Sequence, residues 1–314
     1  MTIPPKISVI VVCEPIDDTH KLVLPDFKAQ TLPLADYEVL FVDGTGDGRH
    51  VEIIESMAKR EGAGASFRHL PVSSLSRSYA RNRGLEAAAA PLVLLLAEDF
   101  QIRAETLEAH VRFHERHPEP HIVGVGAAFF PPDLASDPFM RWLDETGTLF
   151  GVSFCPGSIP PHFFYGANTS LKTHFLRSVG PSHEAFPFHA WDDYELGLRL
   201  QDAGMRSLLV PGAEVDHVHH VNLRGRCKQV GEGGASAVVF ERIQPARPRS
   251  WGALVDTPLA WLAWKVWLAW LGKTLLPHVK THDRYYRARL DQAFVRAYRA
   301  AKSGPATVNG VGLP

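Results

Sequence analysis

The chain has 314 residues, of which 45% are hydrophobic and 21% are charged, and its formal net charge at pH 7 is -1. This composition is typical of a globular protein with one large domain, alone or with an appendage. The near-neutral charge excludes the strongly basic surface with which nucleic-acid-binding proteins follow phosphates, so we expect no nucleic-acid partner. The three cysteines are odd in number and far apart, which favours a reducing cytoplasm over a disulfide framework.

Short apolar runs alternate with amphipathic segments in the first half of the chain. Residues 7–13 form an apolar run with no small-residue cleavage site behind it, which predicts a first β-strand rather than a signal peptide. Leu24, Phe27 and Leu32 predict a helix after it. Further strands are predicted at 39–42, 66–72, 92–96 and 122–130, with helices at 76–90 and 106–117. This order predicts a doubly wound sheet with its ligand site beyond the carboxyl ends of the strands.

The second half is less regular. Residues 131–161 are rich in proline and are interpreted as a loop over the site or as surface packing. Order then returns, with a strand predicted through Ser170, a helix from Lys172, a helix from about Asp193 to Ala203, and strands near Leu208 and Val215.

A change of composition near residues 243–249 predicts the end of the first domain. We expect an α/β domain over 1–242, a helical extension over 250–302 and a disordered tail over 303–314. Within the extension, 258–272 carries four tryptophans and is too short to span a bilayer, which needs about 20 apolar residues. It fits a helix at a membrane surface, or one packed on protein.

Acidic residues follow two predicted strands. Asp43 lies in the turn VDGTGDG, where it is placed either to bind a nucleotide base or simply to close an Asx-turn. Glu98 and Asp99 end the apolar run LLLAEDF, where hard oxygen ligands suit magnesium or manganese on a diphosphate. A solvated turn is the alternative at that position.

Two later motifs add candidates. Asp192 and Asp193 follow Trp191 at a predicted helix start, where they either cap the helix or supply a general base. His217 and His219 alternate in EVDHVHH, so an extended strand would place both on one face as metal ligands, with surface packing as the alternative.

The order and spacing of these motifs, from VDGTGDG through SYARNRGLEAAAAPLVLLLAEDF and YGANTSL to WDDYELGLRL, resemble the family 2 glycosyltransferases over residues 7–220. The resemblance implies an α/β GT-A nucleotide-sugar-binding domain with a mostly parallel central sheet, followed by a C-terminal helical appendage. It also implies an inverting, metal-dependent transfer of a sugar from a nucleotide-diphosphate donor to an acceptor hydroxyl, in glycan or polysaccharide biosynthesis.

The resemblance assigns roles residue by residue. It assigns the binding of magnesium or manganese to Asp99 and His217, with His219 as the alternative histidine. Asp193 becomes the catalytic base and Asp192 its less favoured alternative. Four residues are assigned to binding of the acceptor and the sugar: Gly166, Ala167, Asn168 and Trp191. Five are assigned to binding of the donor: Cys13, Glu14, Asp43, Arg81 and Glu98.

This sequence departs from the family pattern at two places. The first aspartate of the Asp-any-Asp motif is replaced by Ala97, and the first strand ends in Val-Cys-Glu-Pro instead of Pro-Thr-Tyr-Asn. Ala97 raises the alternative of a non-catalytic sugar-nucleotide-binding protein. A nucleotidyltransferase is disfavoured because no Gly-rich basic loop follows the first strand. The expected partners are a nucleotide sugar and a glycan or lipid-linked acceptor, and the expected location is cytoplasmic or peripheral at the inner membrane face.

Overall fold

A computed structural model describes residues 4–13, 24–46, 48–62, 66–149, 151, 158–160, 164–188, 190–247, 279–303, 307–308 and 311–312. The chain divides into two compact units, one of Met1–Glu184 with Leu196–His220 and the other of Ala185–Glu195 with Val221–Pro314. Two predictions, the donor residue Glu14 and the tryptophan-rich segment 258–272, lie outside the described residues.

The first unit is built on an eight-stranded sheet with the strand order β3-β2-β1-β4-β9-β6-β10-β8. Its strands, numbered in chain order together with those of the second sheet, are β1 Ile7–Cys13, β2 Tyr37–Asp43, β3 Phe67–Pro71, β4 Leu92–Ala97, β6 Ile122–Val125, β8 Ser158–Ile159, β9 Asn168–Lys172 and β10 Arg206–Leu209. A three-stranded sheet consists of β5 Phe100–Ile102, β7 Ala128–Phe129 and β11 Val215–His217.

Strands β3, β2, β1 and β4 are parallel neighbours, so their carboxyl ends meet at one edge of the sheet. The register pairs Cys13 with Asp43, and Val12 with Ala97. Strand β9 runs antiparallel to β4 and pairs Asn168 with Leu96. The predicted motif residues at the ends of β1, β2 and β4 are therefore brought side by side.

Helices cover both faces of this sheet. Those of the first unit are α1 Arg49–Glu61, α2 Arg77–Ala87, α3 Thr106–Arg116, α4 Pro138–Glu145 and α5 Thr173–Val179, while α6 Trp191–Asp202 contributes residues to both units. Apolar side chains of α1 and α3 pack on one face, and those of α2, α5 and the end of α6 pack on the other. The central strands are buried on both sides, which explains their continuous apolar sequences.

The second unit pairs α7 Leu223–Ile243 with a long helix, α8 Val279–Ser303. Ala237, Val238 and Tyr298 form its buried contact. Gly234 lies so close to α8 that an added Cβ would stand 2.3 Å from the carbonyl oxygen of Phe294. Among the described residues, no helix is long and apolar enough to cross a membrane.

The predicted fold class, a mostly parallel α/β sheet with a C-terminal helical region, is confirmed. The predicted helix around Leu24, Phe27 and Leu32 is wrong. These side chains are buried in the core, but in the described part of that stretch the backbone is irregular, and Thr31 N–H donates to the carbonyl of Ala104 at 2.9 Å.

One further boundary differs from the expectations. The single strand predicted over 122–130 is two strands in different sheets, β6 and β7. The first compact unit ends at His220, and the predicted division at 242 into an α/β domain and a helical extension stays a prediction. Within 303–314, predicted to be a disordered tail, Thr307–Val308 pairs antiparallel with Val311–Gly312.

Candidate active site

The base-binding candidate, Asp43, is buried at the end of β2 and already holds a turn. Its Oδ1 accepts hydrogen bonds from the Thr45 backbone N–H at 2.8 Å and from Thr45 Oγ1 at 2.6 Å. Its Oδ2 lies 3.0 Å from His69 Nε2. Burial raises the pKa of Asp43, but the bonds from Thr45 and His69 outweigh burial and lower it below its ordinary value. The Asx-turn therefore forms, and the carboxylate is held ionised at the sheet edge.

The turn after Asp43 requires glycine. A Cβ on Gly44 would stand 2.1 Å from the carbonyl oxygen of Ser74, so no larger residue fits without moving the loop that leads into α2. This close approach brings the loops after β2 and β3 together at the edge where the ligand site is expected.

A fully buried histidine of α1, His50, lies between the acidic residues of this edge. Its Nδ1 is 3.3 Å from Thr45 Oγ1 and 3.8 Å from Asp43 Oδ1, and its Nε2 is 3.8 Å from Glu98 Oε2. Donor atoms of Cys13, His50 and Glu98 all lie within 4.8 Å of one another. Cys13, Asp43 and Glu98, which are predicted to bind the nucleotide-sugar donor, are therefore brought together.

The proposed metal ligand Asp99 is joined to His217. Asp99 directly precedes β5, which pairs antiparallel with β11. This pairing places Asp99 Oδ2 2.9 Å from Nε2 of His217, the last residue of β11. Desolvation raises the pKa of Asp99, but the charge and hydrogen bond of His217, together with the charges of Arg77 and His219, lower it to about 2. An ionised carboxylate beside an imidazole is a suitable donor pair for a divalent cation.

The imidazole of His217 is positioned by aromatic neighbours. Phe100 and Phe130 meet it edge-on, with ring centroids 5.5 and 5.3 Å away. His219 follows the end of β11, and its ring centroid lies 6.0 Å from that of His217. Both predicted histidines therefore lie near Asp99, with His217 in direct contact.

Helix α2 brings basic side chains to the same region. Ser76 caps the helix by accepting from Tyr79 N–H at 3.3 Å, and Arg77 is the first helical residue. Its positive charge lowers the pKa of Asp99, as noted above. Arg81, the predicted donor residue, is buried one turn further along the helix.

The segment expected beneath the sugar runs into β9. The carbonyl of Ala167 accepts from Ala97 N–H at 2.8 Å, which ties Gly166 and Ala167 to the end of β4. Asn168 is buried, with its Nδ2 donating to the Ala213 carbonyl at 2.8 Å and its Oδ1 lying 3.0 Å from His110 Nε2. Since both polar atoms of Asn168 are engaged inside the sheet, its side chain supports the site from below.

The proposed base residues begin α6 in the second unit. Asp192 is buried, and its Oδ1 accepts from Ala190 N–H at 3.1 Å. Asp193 is less buried than Asp192. The ring of Trp191 packs against Tyr194 and Phe240, with centroids 5.7 and 4.9 Å away. Ala190, just before the motif, has a φ of 106°, a strained value for a residue with a side chain.

Three residues at the sheet edge were missed in the sequence: His50, His69 and Arg77. The sequence offers a signal only for Arg77, which stands one turn before the Arg81 motif. The two histidines are brought in by the pairing of β2 with β3 and by the start of α1.

A mostly parallel sheet covered by helices on both faces, with acidic residues at its strand ends, is the arrangement expected for the GT-A fold. Residues 21–168 match the family model described as "Glycosyl transferase family 2". The match confirms the predicted resemblance to the family 2 glycosyltransferases. No curated protein sequence gives a significant match.

Solved structures show the same fold. A mannosyltransferase, PcManGT from Pyrobaculum calidifontis in complex with GDP-Man and Mn2+, has a TM-score of 0.55 at 18% identity, covering 98% of this chain and 78% of that one. TarS 1-349 from S. aureus in complex with UDP has a TM-score of 0.54 at 14% identity, covering 97% and 95%. The same TarS fragment with UDP-GlcNAc has a TM-score of 0.53.

Proposed function

We propose that the protein is a metal-dependent, inverting glycosyltransferase that moves a sugar from a nucleotide-diphosphate donor to an acceptor hydroxyl. The observation that carries the proposal is the contact between Asp99 and His217 at 2.9 Å, within reach of the charge of Arg77. The match of residues 21–168 to the glycosyltransferase family supports it. The family match favours an enzyme over the sugar-nucleotide-binding alternative, which would use the same metal-binding pair to hold the diphosphate.

The donor set fits a divalent cation. Asp99 supplies an ionised oxygen ligand and His217 an imidazole nitrogen, a combination that manganese accepts and that magnesium accepts with more water in its shell. When bound, the cation would neutralise charge on the departing nucleoside diphosphate. The crystallised mannosyltransferase relative contains Mn2+, which supports the same choice here.

The chain's own side chains supply the remaining chemistry. Asp193 accepts the proton of the acceptor hydroxyl as its oxygen attacks the anomeric carbon, and a single displacement inverts that centre. Asp192 is buried and bonded to Ala190 N–H, which suits a residue that holds the helix start. Arg77 and Arg81 add fixed positive charge for the leaving diphosphate.

The substrates are proposed by class. Relatives of known structure bind GDP-Man, UDP and UDP-GlcNAc, so we propose a guanine or uracil nucleotide sugar as donor. A glycan or lipid-linked acceptor is proposed from the resemblance, with a role in polysaccharide biosynthesis. For a lipid-linked acceptor, the tryptophans of 258–272 would hold the protein at the inner membrane face, and flotation with liposomes checks this contact.

The function is tested by a donor panel. UDP and GDP sugars are added with manganese, and ligands are detected by a rise in the melting temperature, since binding to the native state stabilises it by mass action. Positive donors are then assayed for release of the nucleoside diphosphate with and without chelator. We expect metal-dependent release. Binding of a donor without any release over a range of acceptors would favour the non-catalytic alternative.

A further inference from the structure

The cluster of Cys13, His50 and Glu98 is chemically different from the Asp99–His217 pair. It unites a thiol, an imidazole and a carboxylate at the ends of β1 and β4 and the start of α1. Cys13 and His50 are buried, and the Glu98 side chain is only 12% exposed. A soft thiolate and a borderline imidazole beside one carboxylate suit zinc, whereas magnesium and manganese prefer oxygen ligands alone.

Hydrogen bonds decide which nitrogen of His50 faces the cluster. The hydroxyl proton of Thr45 is donated to Asp43 Oδ1 at 2.6 Å, so Thr45 Oγ1 has only lone pairs left for His50 Nδ1, 3.3 Å away. Nδ1 must therefore carry a proton, and in the neutral ring the lone pair lies on Nε2.

That lone pair faces a carboxylate. Nε2 of His50 is 3.8 Å from Glu98 Oε2, an arrangement that is favourable with a proton on Nε2 or with a cation between the two atoms. Nδ1 of His50 is oriented by the Thr45 hydroxyl and the Asp43 carboxylate. Metal-binding histidines usually have such partners on the nitrogen that does not bind the metal, because these partners fix the tautomer of the ring.

We propose that Cys13, His50 and Glu98 bind a zinc ion at a second cation site, separate from Asp99 and His217. Their donor atoms lie within 4.8 Å of one another, roughly twice a zinc–ligand bond of about 2.0–2.3 Å, so one ion reaches all three after small side-chain movements. Three protein ligands leave a fourth position for water or an exogenous ligand. Since Cys13 and Glu98 are also assigned to the donor, zinc and donor exclude one another, a consequence that rests on the proposed function.

Cobalt reports the site without any sugar substrate. The full-length, reduced Asp99→Asn protein is titrated with Co2+, which replaces zinc and shows a sulfur-to-metal charge-transfer band when a thiolate binds it. We expect one equivalent to produce the band and zinc to remove it. Cys13→Ser in the same background should abolish the band, whereas the matched variants Cys227→Ser and Cys155→Ser should retain it.

A second measurement covers the case in which Cys13→Ser fails to fold. X-ray absorption of the Asp99→Asn protein with one equivalent of zinc should show one sulfur ligand at about 2.3 Å. Glu98→Gln should weaken zinc binding by more than about 10-fold, the least that losing even an outer partner costs. A zinc shell of nitrogen and oxygen alone, or a cobalt band unchanged by Cys13→Ser, would overturn the proposal, whether or not the protein transfers sugars.

Discussion

The carboxylate of Asp99 is held ionised by its neighbours before any cation arrives. Its pKa is lowered to about 2 because the opposing charges of His217, Arg77 and His219 outweigh desolvation. A ligand that needs no deprotonation at neutral pH binds a cation without a proton cost. At the scale of single residues, the carboxylate proposed to bind the metal is therefore already ionised.

Replacing the carboxylate of Asp99 should weaken metal binding while the protein stays folded. Asp99→Asn keeps the size of the side chain but removes the charge, so we expect the manganese-dependent rate to fall by at least about 100-fold, consistent with the several kcal/mol that a catalytic metal supplies. Asp216→Asn is the matched control, because Asp216 adjoins His217 but pairs with Arg103 at the surface. It should leave the rate near wild type. Full turnover of Asp99→Asn in excess chelator would contradict the metal assignment.

The two adjacent carboxylates of α6 should have different functions. Asp193→Asn cannot accept a proton, so single-turnover rates at saturating donor should fall by about 10²–10⁴ while donor affinity, measured by calorimetry, barely changes. Asp192→Asn should instead raise the acceptor KM more than it slows the chemical step. The burial of Asp192 and its bond to Ala190 N–H support this division. A collapse of the rate in Asp192→Asn alone would transfer the role of base to that residue.

The short sequence motifs predicted those candidate site residues that come directly after a strand. Asp43, Glu98 and Asp99 come directly after β2 and β4, so parallel pairing alone brings them to one edge. His50 and His69 were not predicted, because their approach to Asp43 depends on where α1 starts and on the pairing of β3. Nothing in their local sequence encodes either.

At the scale of elements, the clearest constraint is the contact of α7 with α8. Gly234→Ala would place a Cβ 2.3 Å from a backbone carbonyl of Phe294, and backbone cannot rotate away as a side chain can. We expect a loss of about 1–3 kcal/mol in the free energy of unfolding, as in other overpacked sites. Denaturant titration followed by circular dichroism measures it.

A second glycine of the same helix is the control. At Gly231 an added Cβ would meet nothing closer than the Ala293 carbonyl oxygen at 3.6 Å, an ordinary contact. Gly231→Ala should therefore stabilise the protein by up to about 1 kcal/mol through helix propensity. Equal effects of the two substitutions would show that α7 and α8 do not pack closely in solution.

Strands were predicted more accurately than the segments between them. The predicted run 7–13 coincides with β1, and 92–96 lies within β4, because strands buried on both faces need continuous β-branched or leucine-rich sequence. The prediction of a helix around Phe27 failed because its ring is buried against aromatic rings of β2 and β3, namely Tyr37, Phe41 and Phe67, from a segment that is not helical. Helical spacing of apolar residues does not distinguish these two cases.

At the scale of the whole molecule, a buried polar network connects α3 to the central sheet. His110 lies 2.8 Å from Ser170 Oγ, and His114 lies 2.9 Å from the same atom. Lys172 Nζ lies 3.1 Å from His114 Nδ1 and also donates to the His117 carbonyl. The network continues through Asn168, and so it supports the floor of the candidate active site from inside the core.

This network should make global stability fall in mild acid. Desolvation lowers the pKa of His110 to about 4, and desolvation with the charge of Lys172 lowers that of His114 to about 3. In the unfolded chain both titrate near their ordinary value of about 6.5, so below that pH the unfolded state binds protons that the folded state rejects. Their contribution is complete above about pH 6.5 and is lost as the pH falls to about 4 for His110 and about 3 for His114.

The slope of the free energy of unfolding against pH identifies the groups responsible for this loss. Each histidine adds about 1.4 kcal/mol per pH unit to the fall in stability between about pH 6 and 4.5. We expect His110→Gln, which retains a side chain able to hydrogen-bond within the network, to reduce the slope by about that amount even if it lowers stability at pH 7. His174→Gln is the control, since His174 is exposed in α5 and should leave the slope unchanged. Denaturant midpoints across this pH range measure both, and parallel curves for wild type and His110→Gln would show that His110 is protonated inside the folded protein.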